Sequence, residues 1–223
     1  MICEICDGSG NVFTERNGLS FWKKCRCQVV VENLKTWQWI HSKLPADISG
    51  YIRPDFEQDN NKPKDIQKAA WADINKYDRY WIHGDSGKGK SYLSAQKIRK
   101  ILMSSESFMS ARYYSGYAIN KIYAELYSDN FEIKREYSDL INLSKNKISI
   151  VFFDDIDKIG NMSEHKIREF SDLIYKNLDG IKYVIFTANS SIEDFCKRIP
   201  DSSYSLPLYR RMKDFATNAE IKI

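Results

Sequence analysis

The apolar positions of this chain follow two rhythms. In "VVVENLKTWQWIHSKL" (29–44) they recur at Val30, Val31, Leu34, Trp37, Ile40 and Leu44, the stripe of a helix that Pro45 ends. Elsewhere they run on without interruption. "RYWIH", "KISIVFFDDID" and "YVIFTAN" have the continuous apolar character of strands covered on both faces of a parallel sheet. Helical segments fall between and around them: "KPKDIQKAAWADINKY", with a proline at its start in Pro63, then residues 91–104, "AINKIYAELYSD", and about 163–178. "SARYYSGY" reads as a strand or a turn. Strands alternating with helices predict an α/β core with a parallel sheet flanked by helices. Residues 45–63 hold three of the five prolines and the run "EQDNNK", and read as a loop-rich lead-in to that core.

The chemistry concentrates where strands end. After "YWIH" comes "GDSGKGKS", which is Gly84, Asp85, Ser86, Gly87, Lys88, Gly89, Lys90 and Ser91. It matches G-x-x-x-x-G-K-[ST] with a strand before it and a helix after it. Glycines let successive N–H groups point inward with no Cβ in the way, and the helix N-terminus adds partial positive charge. The pattern predicts a triphosphate cradle in which Lys90 reaches the β- and γ-phosphates and the Ser91 hydroxyl meets Mg2+. "IVFFDD" then ends in Asp154 and Asp155, at the carboxyl edge of a buried strand, where open α/β sheets bind ligands. Asp154 is the candidate Mg2+ ligand and Asp155 the group that polarises an attacking water. Asp157 reads as a solvated or N-cap residue. Thr187 and Asn189 leave the strand "YVIFTAN", and the Asn189 amide could hold that water in line. Arg210 and Arg211, in "PLYRRM", could stabilise charge on a transferred phosphoryl group, often from a neighbouring subunit.

Four of the five cysteines lie in the first 27 residues. "CEIC" and "CRC" give Cys3, Cys6, Cys25 and Cys27, with an 18-residue gap between the pairs, the pattern of a four-thiolate Zn2+ site. "DGSG" supplies a tight turn and "GNVF…SFWKK" a hairpin that returns the second pair. So short a segment cannot bury a core, so a metal staple is physically apt. Cys196 reads as a packed residue. The net charge is +4, which permits nucleic-acid contact without demanding it. No apolar run reaches membrane-spanning length and no signal peptide is evident, so the expected compartment is the cytoplasm, where clustered cysteines hold metal. Arg112, Tyr113, Tyr114, Tyr117 and Lys121 combine aromatics and cations, a candidate surface for single-stranded nucleic acid. Aromatic core packing is the alternative for that cluster. Trp22, Lys23 and Lys24 suit a protein- or DNA-binding face of the cysteine module.

In the order of the phosphate loop, "VFFDD", "FTAN" and "LYRRM", the chain resembles the AAA+ ATPases over roughly residues 55–215. More narrowly, it is similar to the DnaC/DnaI-type replicative helicase loaders and the related IstB-type transposition ATPases. The resemblance implies a P-loop AAA+ core at 46–223, with its lid domain absent or vestigial, preceded at 1–45 by a zinc-binding module and a helix that joins it to the core. It places Asp154 and Asp155 on the Walker B pair, Asn189 on sensor 1, and Arg211 on the arginine finger, with Arg210 as the other register. It implies an ATPase that binds ATP, Mg2+ and Zn2+ and oligomerises through AAA+ interfaces. Its N-terminal module would grip a DnaB-type helicase and its core would handle single-stranded DNA. Asp155 stands where many relatives carry Glu, which implies a shorter reach to water and slow hydrolysis. "CEICDGSG" also resembles one unit of the DnaJ zinc repeat. Compact length and a Lys/Asn-rich composition fit a phage or mobile-element source. Three functions stay open: a helicase loader, an IstB-like transposition ATPase, and a nucleotide-binding adaptor that does not hydrolyse ATP.

Overall fold

The structure is a computed structural model, and it describes residues 3–49, 65–160, 163–199, 205–215 and 219–223. Most of the loop-rich lead-in expected at 45–63 lies outside the described residues. The chain begins with a hairpin, β1 (Asn11–Arg16) and β2 (Leu19–Lys24), paired antiparallel with Arg16 opposite Leu19. Asn17 and Gly18 turn it, both at positive φ (53° and 74°), as a two-residue hairpin turn requires. Helices α1 (Arg26–Lys43), α2 (Ala46–Ser49) and α3 (Asp65–Ile74) lead to the core.

The core alternates β3 (Arg79–His83), α4 (Lys90–Ser104), β4 (Ala111–Ser115), α5 (Gly116–Ala124), α6 (Phe131–Ile141), β5 (Ile150–Asp154), α7 (Glu164–Asp172), β6 (Tyr183–Ala188), α8 (Ile192–Lys197), α9 (Ser205–Phe215) and β7 (Glu220–Lys222). A 3-10 turn (Ile156–Ile159) follows β5, and α7 runs on into a π-helical turn (Leu173–Asn177). The sheet order is β4-β5-β6-β3-β7 with every pairing parallel. Side-chain alternation splits the core into two layers. Tyr80, Ile82, Ile150, Phe152 and Ile185 face α1, α3 and α4. Trp81, Val151, Phe153, Val184 and Phe186 face the helices that follow β4. Polar side chains start the helices: Ser115 caps α5, Asn130 caps α6, Ser163 caps α7 and Ser191 caps α8, each accepting from a first-turn N–H.

The buried face of one helix departs from the sequence reading. The buried face of α1 is Val29, Asn33, Trp37 and Ile40, while Val31 and Leu34 are exposed. Asn33 sets this phase. It is fully buried, donates from Nδ2 to the carbonyls of Leu102 (2.9 Å) and Ser107 (3.2 Å), and accepts from Met109 N–H at 2.9 Å. An amide can be buried there because its donors and acceptor are paired. Thus α1 is clipped to the end of α4 and the entry to β4, and is more than a connector. Lys97 of α4 is likewise buried. Its ammonium donates to the carbonyls of Ile74 and Tyr77 at the end of α3, and its desolvation pushes the pKa down to about 8.

Strand β7 closes the far edge. Ile223 N–H donates to the His83 carbonyl at 2.9 Å, and the Ile223 carbonyl crosses Gly84. A Cβ at Gly84 would lie 2.0 Å from that oxygen, at a φ of 146° that side chains avoid. Gly84→Ala is expected to cost about 2–3 kcal/mol through this clash. For a chain this size that lowers the melting midpoint by roughly 5–10 °C, measurable by circular dichroism. An unchanged midpoint would mean β7 does not press on the loop.

Candidate nucleotide site and cysteine cluster

The glycine loop links the C-terminal end of β3 to the N-terminus of α4, with Gly87 and Gly89 both at positive φ (78° and 95°). Asp85, Ser86, Gly87 and Lys88 are exposed, whereas Lys90 is buried. Its ammonium donates to the carbonyls of Gly84 (2.8 Å) and Asp85 (2.9 Å) and to Asn189 Oδ1 (3.1 Å). Burial lowers its pKa, and Asp155, Asp157 and Asp154 oppose that shift. Gln67 of α3 donates to the Lys88 carbonyl at 3.1 Å, a brace that nothing local in the sequence announces.

Asp154, at the end of β5, is the hub. Its Oδ1 accepts from Ser91 Oγ (2.5 Å) and Thr187 Oγ1 (2.6 Å), and its Oδ2 accepts from Tyr113 OH (3.1 Å). Asp155 follows in the left-handed region (φ 48°), its N–H donating to Thr187 Oγ1 at 2.8 Å. Burial first, then the neighbouring Asp154, raises its pKa. The N-terminus of α5 packs so close that a Cβ on Gly116 would meet the Asp155 carbonyl at 2.2 Å. Asp157 differs from the solvated or N-cap role read from sequence. Its two carboxylate oxygens accept the Asn189 N–H at 3.0 and 2.8 Å and so fix the loop that carries Asn189.

Direct hydrogen bonds pair Lys90 with Asn189 and the adjacent Ser91 with Asp154, and Thr187 ties Asp155 to Asp154. Arg211 sits on α9 with its guanidinium 5.1 Å from the Tyr175 ring centroid, and Arg210 beside it is exposed. The aromatic segment divides. Tyr114 is core, stacked on Phe153, and Tyr113 packs on Phe152 with its hydroxyl on Asp154. Arg112 lies over Trp39 of α1 at 5.7 Å. Only Tyr117 and Lys121 of the five are exposed, so a five-residue stacking platform is not what the fold builds.

The donor set suits a nucleotide with Mg2+: a hydroxyl at the helix start, a carboxylate facing it, a loop of backbone N–H groups and a lysine. Mg2+ prefers such oxygen donors. At the other end of the chain, the sulfurs of Cys3, Cys6, Cys25 and Cys27 all lie within 4.8 Å of one another. Cys3–Cys25 is 3.7 Å and Cys6–Cys27 is 3.5 Å. A tetrahedral ion with Zn–S bonds of about 2.3 Å sets neighbouring sulfurs about 3.8 Å apart, so the cluster fits Zn2+. Asp7, Gly8 and Gly10, at positive φ, curl the chain after Cys6, and Cys25 N–H donates to the Gly10 carbonyl at 2.8 Å. Cys196 is buried against Met212, as a packed residue.

Solved structures share the fold of the core. A candidate primosome component from Streptococcus pyogenes serotype M3 superposes with a TM-score of 0.55 at 17% identity, over 81% of this chain and 90% of that one. A DnaI structure gives 0.51 at 16% identity, over 81% and 95%. The core has the AAA+ fold. At such identities the AAA+ likeness speaks for architecture alone. No family model matches the chain, and no curated protein matches its sequence. Among the described residues, no helix is long and apolar enough to cross a membrane.

Proposed function

We propose that this chain is an ATP-dependent loader of a DnaB-type replicative helicase onto single-stranded DNA. The observation that carries the reading is the Lys90–Asn189 and Ser91–Asp154–Thr187 hydrogen-bond set at the mouth of an AAA+ sheet. In this reading Mg2+ neutralises triphosphate charge when bound. The loop N–H groups and Lys90 hold the phosphates, Ser91 and Asp154 orient the metal's shell, and Asn189 positions the attacking water. Asp155 takes the water's proton. Its elevated pKa suits a base, and its short side chain suits slow, partner-stimulated turnover.

Self-assembly completes the site. Arg211 acts in trans, and Arg210, exposed on the same helix, is the alternative finger. The cysteine module, braced by Zn2+, meets the helicase. Exposed Phe13 and Trp22, stacked edge to face at 5.3 Å, support a protein partner there. Tyr117 and Lys121, next to the Asp155 loop, support contact with single-stranded DNA.

The test is native mass spectrometry of the protein with a DnaB-type helicase, ATP and a short oligonucleotide, alongside a phosphate-release assay. A ternary complex with stimulated release is expected. Capture of a transposase in place of the helicase would replace the loader with the IstB-like reading, and binding without phosphate release would leave an adaptor.

A further inference from the structure

A carboxylate offers about four lone-pair sites. On Asp154 three are taken, two on Oδ1 by Ser91 and Thr187 and one on Oδ2 by Tyr113. Asp154 is itself only 3% exposed, so water does not compete freely for the fourth. Which lone pair stays open is thus settled by the protein, and Tyr113 decides it on the Oδ2 side.

The sheet register makes this possible. Tyr113 pairs with Phe152 and Ser115 with Asp154, so Tyr113, Phe152 and Asp154 share one face. The tyrosine ring packs edge-on against Phe152 at 5.4 Å, and its hydroxyl reaches along the strand to Asp154. A phenylalanine would make the same ring contact. The hydroxyl therefore has a separate task.

Building on the nucleotide-site reading, we propose that Tyr113 is a positioning residue for Mg2+. By occupying one lone pair of Asp154 Oδ2, it aims the remaining one at the metal's water shell. Removing the hydroxyl frees the carboxylate to turn about its Oδ1 anchors and disperses its orientation. Outer-shell donors of this kind typically matter by about tenfold or more in metal affinity.

The experiment is calorimetry of ATP binding to the full chain and to Tyr113→Phe, in EDTA and across a Mg2+ series, with Mn2+ binding followed by electron paramagnetic resonance. Tyr113→Phe is expected to need roughly tenfold more metal for half-saturation, while ATP binding in EDTA stays unchanged and the variant remains folded with a melting midpoint lowered by only a few degrees. An unshifted metal midpoint would overturn the assignment, as would an equal loss of ATP binding with and without metal. If the native chain bound no ATP in either condition, the nucleotide site itself would fall, and Tyr113 with it.

Discussion

Lys90→Ala is expected to lower ATP turnover by at least about a hundredfold, the scale at which removing one preorganised donor acts on a developing charge. The structure explains why no neighbour substitutes. Lys90 is the buried cation at the loop, held at 2.8–2.9 Å by two loop carbonyls and at 3.1 Å by Asn189. Lys88, two residues earlier, is exposed and its carbonyl is tethered to Gln67. Truncation also leaves the Gly84 carbonyl without its described side-chain donor, costing about 1 kcal/mol in stability. Steady-state phosphate release, paired with a thermal melt, separates the two effects. Near-native turnover in a folded variant would refute the assignment of Lys90 to the phosphates.

The second large effect concerns the cysteines. In β2 every residue is exposed, and β1 has no fully buried position. Among the described residues that precede α1, the buried ones are Cys6 and Cys25. With almost nothing apolar to bury, the hairpin is expected to depend on a metal at the four thiols, and structural Zn2+ contributes on the order of 10 kcal/mol in modules of this kind. Elemental analysis of the native chain is expected to give one equivalent of zinc, and Cys25→Ser with Cys27→Ser to abolish it. Amide exchange over residues 3–24 should then become unprotected, while the core sheet keeps its protection. Retained protection in a zinc-free double variant would show that the hairpin stands without metal.

The legible parts of this molecule were those whose signal is local. The phosphate loop and the apolar β5 and β6 each carry their signal within a dozen residues, and the four cysteines within 25, and the structure has strands at β5 and β6 and gathers the four sulfurs. The misphased α1 stripe has a physical cause. Its buried face contains Asn33, which pairs with groups about 70 residues away and looks polar to any periodicity count. Helix α6, unassigned from sequence, buries only Ile133 and Leu140, too few to set a rhythm. β7 is three residues long and exists through pairing with β3. The roles of Asp157 and Tyr113 depend on strands meeting side by side, and an aromatic on an edge strand reads equally well as a surface for bases or as packing.

Consider last the amide of Asn33. Whatever grasps the hairpin also grasps a rod bolted at three points to the α/β core, since Leu102, Ser107 and Met109 all hold that one side chain. A pull on the cysteine end is therefore not dissipated in slack between the two parts. It arrives at Met109, just ahead of β4 and four positions before the tyrosine whose hydroxyl meets Asp154.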